Sequence, residues 1–251
     1  AVVADATLTV GLPKLGLLLP PGRDHTGQLA VVDIGFPAEI CARHAPDWHL
    51  PTLADARAML PARPSDTYKT AVGSLLVLAG SAAYGGAPQL TALGALRAGV
   101  GMLHLGCVEA LLDSLRTAVP EAIAHPLPAT PAGTLALPED PLALARGMDA
   151  VALGPGLGDH PATDRGVVAL ATGSEQPLVV DADGLNAFAR LGRTPAFASE
   201  HVVLTPHPGE LARLLGSTPG EVVARRLELV PELAQRWQVV LLLKGSPTLI
   251  G

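Results

Sequence analysis

The chain has 251 residues, 49% hydrophobic and 16% charged, with a mean hydropathy of +0.37, so it can bury the core of one or two domains and is not a disordered protein. A formal net charge of −6 and the lack of a basic block exclude nucleic acid as the main partner, so small molecules are the expected ligands. No apolar stretch reaches the roughly 18 unbroken residues that a membrane span needs, so we expect no membrane span and no membrane partner.

The two cysteines, Cys41 and Cys107, form no Cys-x-x-Cys pair, so we expect neither a disulfide framework nor a zinc cluster. A reducing cytoplasm is the expected location.

The first part of the chain differs in pattern from the rest. Residues 7–37 contain two stretches that favour strands, joined by a turn-rich segment, and residues 45–66 are rich in proline around one short predicted helix. We predict a domain boundary between residues 50 and 62. Both ends of the chain resemble the interior of longer elements, so we expect a piece of a longer protein, cut on both sides.

From Leu75 onward, short apolar stretches alternate with helical patterns, which predicts α/β layering around a largely parallel sheet. Ligands of such sheets bind beyond the carboxyl ends of the strands, so the loops that follow the strands are the candidate sites. The predicted strands are residues 74–80, 102–106, 149–154, 177–182, 201–206 and 239–245. The predicted helices are residues 87–98, 108–118, 162–171, 184–190, 209–215 and 219–237.

Two glycine-rich loops follow predicted strands. The small side chains of residues 78–88 would let backbone N–H groups approach an anion or a carbonyl group. In residues 153–158, a proline stiffens a loop whose glycines, Gly156 among them, leave a bare surface for a flat ring or a phosphate. A tight turn that needs glycine at positive φ is the alternative for both loops.

Asp181 and Asp183 follow a predicted strand directly and precede a helix. Two like charges at this spacing cost free energy that a turn does not require, which indicates a site. The alternative for Asp183 is that it is the N-cap of a helix that begins at Gly184. Asn186 would face the same loop and contact either a ligand or the loop.

The segment Val-Val-Leu-Thr-Pro-His-Pro-Gly-Glu places His207 between two prolines at the end of a predicted strand. Pro206 and Pro208 fix φ near about −65° on both sides, so the imidazole would be held rigidly and could point into the cleft. A structural or surface histidine is the alternative. Glu210 lies near the start of the next helix, where a carboxylate is favoured.

Lys244 ends the last long apolar stretch, in a chain with three lysines and fourteen arginines. A compact cation beside Gly245, Ser246 and Thr248 suits phosphate binding. A charge that reaches solvent at the end of a strand is the alternative.

Six motifs, taken in order, resemble the ADP/ATP-dependent NAD(P)H-hydrate dehydratase family, whose fold is ribokinase-like. They are YKTAVGSLLVLAGSAAYGGA, LRAGVGMLHLG, ALGPGLG, VVDADGLNAFA, LTPHPGELARLLG and VVLLLKGSPTLI. The resemblance implies a three-layer α/β/α domain with a largely parallel central sheet over residues 61–251. Residues 4–37 resemble the end of the Rossmann-like NAD(P)H-hydrate epimerase domain, so residues 1–50 are expected to be the tail of such a domain and a linker.

The resemblance implies a repair reaction on a damaged cofactor. ADP or ATP would phosphorylate the hydroxyl of hydrated NADH or NADPH, elimination of phosphate would restore the cofactor, and Mg²⁺ would bridge the nucleotide phosphates. By motif, Ala87, Gly156 and His207 would contact the hydrated nicotinamide nucleotide, and Asp183 and Asn186 would line the cleft. The phosphates of the adenine nucleotide would contact Lys244, Gly245, Ser246, Pro247 and Thr248.

The Gly-Thr-Gly-Asp motif of the family would lie downstream of Lys244, with its Asp as the catalytic base and its glycines as an anion hole. The printed sequence, which ends at Gly251, does not contain this motif, so the expected Asp would lie beyond Gly251. We therefore expect no catalytic residue and no protein metal ligand among these residues, and we expect them to be inactive alone. We likewise assign no epimerase site.

Two other functions fit the same pattern. One is a ribokinase-like small-molecule kinase of the hydroxyethylthiazole kinase type, and the other is a non-catalytic nucleotide-binding or assembly module. A homo-oligomer is compatible with the family resemblance, and the preference between ADP and ATP stays open.

Overall fold

The computed structural model describes residues 2–43 and 48–251, which form two compact units that divide between Ser65 and Asp66. Residues 44–47, which overlap the predicted proline-rich segment, lie outside the described residues. No helix among the described residues combines the length and the hydropathy that a membrane span requires.

The first unit is built on a two-stranded parallel sheet in which Leu8 lies opposite Ala30. The two strands predicted for this part of the chain are therefore confirmed. The elements of the unit are β1 (Ala6–Val10), α1 (Leu15–Leu18), β2 (Gln28–Val32), α2 (Ala38–Arg43) and α3 (Leu53–Ala58). The assignment of this unit to the end of an epimerase domain stays a prediction.

The second unit is built on one sheet, and its six predicted strands are confirmed to within a few residues. Its strands are β3 (Ser74–Leu78), β4 (Met102–Val108), β5 (Ile123–Leu127), β6 (Ala150–Leu153), β7 (Leu178–Val180), β8 (Val202–Leu204), β9 (Val240–Leu243) and β10 (Leu249–Ile250). Their order is β10-β9-β8-β7-β6-β3-β4-β5, and all neighbours are parallel except β9 and β10. Sequence analysis missed β5, whose apolar pattern is broken by His125 and Pro126, and the two-residue β10.

The helices of the second unit confirm most of the predicted helical segments. They are α4 (Lys69–Val72), α5 (Gly86–Ala98), α6 (Leu112–Ala118), α7 (Pro161–Gly173), α8 (Asp183–Arg190), α9 (Pro208–Leu215), α10 (Pro219–Ala224) and α11 (Arg226–Trp237). The single helix predicted for residues 219–237 was wrong, because Arg225 leaves the helical conformation, with φ −106° and ψ 13°, and separates α10 from α11. The helix predicted to begin at Val108 starts later, since that residue ends β4 and a 3₁₀ turn precedes α6.

Helices pack on both faces of the sheet. Val77 and Leu105, which are in register, share a buried cluster with residues of α5 and α6. Val180 is in register with Leu153 and points to the face opposite to that of Val77. It contacts α8 there, since a Cβ added to Gly184 would lie 2.9 Å from Cγ1 of Val180. The predicted three-layer α/β/α arrangement with a largely parallel sheet is confirmed.

Candidate functional site

The predicted site residues follow the carboxyl ends of five adjacent strands. β3 leads to Ala87, β6 to Gly156, β7 to Asp183, β8 to His207 and β9 to Lys244. These strands are consecutive in the sheet and mutually parallel, so their following loops open at the same edge. The structure thus brings five distant segments of the sequence to one edge of the sheet, which we call the carboxyl edge.

The two glycine-rich loops touch each other at this edge. A Cβ added to Gly156 would lie 2.7 Å from the Cβ of Ala87 and 2.8 Å from the Cβ of Tyr84. Gly156 also has φ +68°, so both the contact and the backbone require glycine. Gly80 N–H donates to the carbonyl oxygen of Pro155 at 2.9 Å and links the loops further. At Gly156 the two loops therefore pack closely against each other, as the tight-turn alternative expects, and the role of Gly156 in ligand binding stays a prediction.

Asp183 binds the loop after β6 and does not cap its helix. Its Oδ2 accepts a hydrogen bond from Gly158 N–H at 2.9 Å, and its Oδ1 accepts one from Nδ2 of Asn186 at 3.2 Å. The N-cap of α8 is Ala182, at φ 48°, without a capping side chain. The capping alternative for Asp183 is therefore wrong, because the helix begins at Asp183 itself.

Asn186 extends these contacts to the next helix. Its Oδ1 accepts a hydrogen bond from Nε of Arg213 at 2.9 Å. Gly158, Asp183, Asn186 and Arg213 thus form a hydrogen-bonded chain that joins the loop after β6, α8 and α9. Arg213 was not predicted as a site residue, although it lies on the helix that His207 introduces.

His207 is the N-cap of α9. Its Nδ1 accepts hydrogen bonds from the N–H groups of Gly209 at 2.9 Å and Glu210 at 3.4 Å, and Glu210 Oε2 accepts the backbone N–H of His207 at 2.8 Å. An accepting Nδ1 assigns the proton of the neutral imidazole to Nε2. Nε2 lies 3.4 Å from Oε1 of the buried Glu210, and the imidazole is 49% exposed. One ring nitrogen therefore stabilises the helix, while the other lies beside the carboxylate of Glu210 on a half-exposed ring.

Lys244 forms an ion pair with Asp181. Its Nζ lies 2.5 Å from Oδ1 of Asp181, with the two side chains 40% and 29% exposed. Its backbone N–H donates to Pro206 O at 2.8 Å, which ties the end of β9 to the end of β8. The alternative of a charge that simply reaches solvent does not describe this lysine, because a carboxylate holds its ammonium group in place.

Gly245, Ser246, Pro247 and Thr248 form the turn between β9 and the antiparallel β10. Within it, Oγ1 of Thr248 donates to the carbonyl oxygen of Gly245 at 3.2 Å. The turn therefore lies at the carboxyl edge, next to the ammonium group of Lys244.

Gly251 lies away from the carboxyl edge and is not a site residue. The Asp of the Gly-Thr-Gly-Asp motif is expected beyond it. The N–H of Gly251 donates to the carbonyl oxygen of Leu241 at 3.1 Å, and its own carbonyl oxygen accepts from Leu241 N–H at 2.9 Å. Because β10 is antiparallel to β9, the chain has turned back by Gly251 towards the amino end of β9. The position of the expected Asp stays a prediction.

Arg190, at the end of α8, lies among three acidic or carbonyl partners. Its Nε and Nη2 contact the two carboxylate oxygens of the buried Asp164 at 2.8 and 2.6 Å. The hydrogen bonds to Asp164 raise the pKa of Arg190, so the guanidinium stays charged. Sequence analysis missed this pair, because the partners are 26 residues apart and lie on different helices.

A cavity of about 600 Å³ lies near the opposite edge of the sheet, around the amino ends of the strands. Its lining includes Leu75, Pro177, His201 and Val240, and none of the predicted site residues. The lining carries no Lys or Arg, so it does not favour the phosphates of a nucleotide.

Comparison with known proteins identifies the family. A family model described as NAD(P)H-hydrate dehydratase matches residues 75–251. The chain belongs to this family. The resemblance seen in the six motifs is therefore confirmed for the part of the chain that they cover.

Relatives of this dehydratase family member match the whole chain but are longer. This chain is 42% identical over 253 residues to the bifunctional NAD(P)H-hydrate repair enzyme Nnr of Moorella thermoacetica. The match covers 100% of this chain and 48% of that protein. The Nnr of Thermofilum pendens is 40% identical over 253 residues, with the same coverage of 100% and 48%. The chain spans about half of the length of these two relatives.

Two solved structures share the fold of this dehydratase family member. The ADP/ATP-dependent NAD(P)H-hydrate dehydratase from Bacillus subtilis, co-crystallised with ATP/Mg²⁺, has a TM-score of 0.64 at 31% identity and covers 80% of this chain and 68% of its own. A ribokinase-like superfamily protein from Enterococcus faecalis has a TM-score of 0.59 at 21% identity, with 73% and 61% coverage, and shows the fold alone. The predicted ribokinase-like fold is confirmed.

Proposed function

We propose that this chain binds hydrated NADH or NADPH together with ADP or ATP, as the ligand-binding part of an NAD(P)H-hydrate dehydratase. The observation that carries the proposal is that the close-packed glycine loops at Gly156 and the cation of Lys244 lie at the same edge of one sheet. A flat dihydronicotinamide ring packs against a surface without side chains, and an ammonium group contacts a phosphate.

The substrate side of the proposed site comprises Ala87, Gly156 and His207. The first two would form the surface under the hydrated ring. The proton on Nε2 of His207 would be donated to an oxygen of the nucleotide, while Nδ1 stays engaged with α9. Asp183 and Asn186 would line the cleft and keep its wall in place through the bonds from Gly158 and to Arg213.

The nucleotide side of the proposed site is the turn after β9, formed by Lys244, Gly245, Ser246, Pro247 and Thr248. Asp181 orients the ammonium group of Lys244, which would exchange this carboxylate for a phosphate oxygen. ADP or ATP would supply the phosphoryl group that activates the hydroxyl of the hydrated ring for elimination, and Mg²⁺ would offset the negative charge of the phosphates.

The residues present fit an ion that is held mainly by the nucleotide. No group of three or more His, Cys, Asp or Glu side chains among residues 2–43 and 48–251 is arranged to hold a metal ion. Mg²⁺ at nucleotide sites commonly uses substrate phosphates, water and one or two carboxylates, and does not need a protein cage. The Bacillus subtilis dehydratase was co-crystallised with ATP/Mg²⁺, which supports ATP and Mg²⁺ as ligands of the proposed site.

Three further predictions belong to this proposal. Cys41 and Cys107 are both free thiols, which supports a reducing cytoplasm as the location. The epimerase origin of residues 1–50 and a homo-oligomeric assembly are also retained as proposals.

Binding and product analysis test the proposal. The 251-residue chain is titrated with hydrated NADH, with hydroxyethylthiazole and with ADP–Mg²⁺ in a calorimeter. We expect it to bind hydrated NADH and ADP, and phosphate release is measured with both present.

Each other outcome rejects part of this account. Binding of hydroxyethylthiazole with formation of a stable phosphorylated alcohol supports the kinase, and binding of ADP alone supports the non-catalytic nucleotide-binding module. Release of phosphate with recovery of NADH absorbance shows that residues 1–251 contain their own catalytic base.

A further inference from the structure

Gly158 is held at both of its backbone polar atoms by the two ends of one helix. Its N–H donates to Oδ2 of Asp183 at 2.9 Å, and its carbonyl oxygen accepts from Nη2 of Arg190 at 3.4 Å. These are the first and last residues of α8. Gly158 has φ +85°, and an added Cβ would lie 2.6 Å from Cγ2 of Thr134. The backbone therefore passes this point along a tightly constrained path.

Arg190 is also held by an ion pair with Asp164 of α7. Its bidentate contact with Asp164 uses two of its nitrogens, and Nε also lies 3.3 Å from Oδ1 of Asp159. Asp164 is only 3% exposed and lies in the first turn of α7. Bidentate arginine–carboxylate pairs fix orientation as well as distance. The guanidinium thus connects a buried point of α7 to the loop at Gly158 and Asp159.

We infer that Arg190 is a positioning residue for the substrate surface of the proposed site, acting through the loop of residues 154–159. Gly156 lies two residues before the bond that Arg190 makes, and its close approach to Ala87 depends on the path of this loop. The inference rests on the proposed function for its ligand. Its structural part, that the guanidinium holds this loop, stands on the contacts alone.

The nucleotide side has a separate support. Lys244 is held by Asp181 and by the backbone of Pro206, and no contact of Arg190 described above reaches these residues. Loss of the guanidinium should therefore weaken the binding of hydrated NADH and leave the binding of ADP nearly unchanged. A residue that served only the overall stability would affect both ligands together.

The test compares Arg190→Met and Arg190→Lys with the control Arg146→Met. Arg146 also pairs with an aspartate, Asp140, at 2.8 Å, but both side chains are largely exposed and belong to no predicted site. The full 251-residue chain is used throughout. Hydrogen–deuterium exchange of the ligand-free variants reports the loop, and calorimetric dissociation constants for hydrated NADH and ADP–Mg²⁺ report the two sides of the site.

For Arg190→Met we expect faster amide exchange confined to residues 154–160. The affinity for hydrated NADH should be weaker on the order of tenfold, and the affinity for ADP should stay within about twofold of the wild type. Arg190→Lys keeps the charge without the fork and should lie between the wild type and the methionine variant. The control variant should match the wild type in both readouts.

Three results would overturn the inference. One is an unchanged amide exchange rate in the loop of Arg190→Met, and another is faster exchange throughout the second unit. The third is an equal loss of affinity for hydrated NADH and for ADP. If the wild-type chain binds neither ligand, the proposed function fails. The exchange experiment then still decides whether Arg190 holds the loop.

Discussion

The ammonium group of Lys244 and the carboxylate of Asp181 join the ends of β9 and β7, two strands that are separated in the sheet by β8. The pair connects the turn of residues 245–248, which is proposed to bind phosphates, with the segment after β7 that carries Asp181 and Asp183. It also keeps a half-exposed cation in a fixed direction at the carboxyl edge, where a phosphate would replace the carboxylate as its partner.

Replacing Lys244 by methionine should weaken ADP binding, because a charge-assisted hydrogen bond to phosphate is lost. Such bonds contribute about 1.5–3 kcal/mol, which corresponds to roughly 10- to 150-fold in the dissociation constant. Calorimetric titration with ADP–Mg²⁺ measures the change. Lys69→Met removes a lysine from α4 and serves as the matched control.

The double variant Lys244→Met with Asp181→Asn removes both charges of the pair. It separates the lost phosphate contact from the effect of a carboxylate left without its partner. If Lys244→Met binds ADP as the wild type does, Lys244 has no role in nucleotide binding.

Two substitutions of His207 separate its capping role from ligand contact. His207→Ala removes the cap and should lower the free energy of unfolding by about 0.5–2 kcal/mol, whereas His207→Asn supplies a side chain that caps well. Both variants should bind hydrated NADH more weakly, since both lack Nε2. Urea unfolding and calorimetry give the two quantities. Wild-type affinity in His207→Asn would leave capping as the whole role of this histidine.

Gly156→Ala should combine backbone strain with a steric clash. The φ of +68° costs a residue with a Cβ about 1–2 kcal/mol, and the new methyl group would meet Ala87 and Tyr84 below 3 Å. Gly192→Ala is the control, because its φ is +61° but nothing lies within 4 Å of an added Cβ. We expect the larger loss of stability, and weaker binding of hydrated NADH, at Gly156. Equal unfolding curves for the two variants would contradict the close contact.

Stability should fall at mildly acidic pH because of His104. It stacks on His125 with Nδ1 2.9 Å from Nε2, and burial, followed by the charge of His125, lowers the pKa of His104 below 6.5. The unfolded state therefore takes up a proton at a higher pH than the folded state does. The free energy of unfolding is thus highest above pH 6.5, decreases as the pH falls towards the lowered pKa, and levels off below it.

His104→Gln should make this decrease shallower. Urea unfolding at a series of pH values measures the slope. The same slope in His104→Gln and the wild type would show that another group carries the acid dependence.

The sequence predicted where the site residues lie along the chain, but not most of the contacts between them. Apolar stretches that end at glycine or aspartate marked the strand ends, so Gly156, Asp183 and Lys244 could be assigned to loops at one edge. The partner of Lys244 is 63 residues away and depends on the order β9-β8-β7, which no local pattern encodes. The same reason hid the partners of Asp183 and Arg190.

The measurement that tests the central claim most directly is hydrogen–deuterium exchange of the chain with and without each ligand. We predict that hydrated NADH slows exchange in residues 154–158 and that ADP–Mg²⁺ slows it in residues 245–248, both at the carboxyl edge. Protection confined to the amino ends of the strands, around the cavity lined by Leu75 and His201, would contradict the account, as would no protection at saturating ligand.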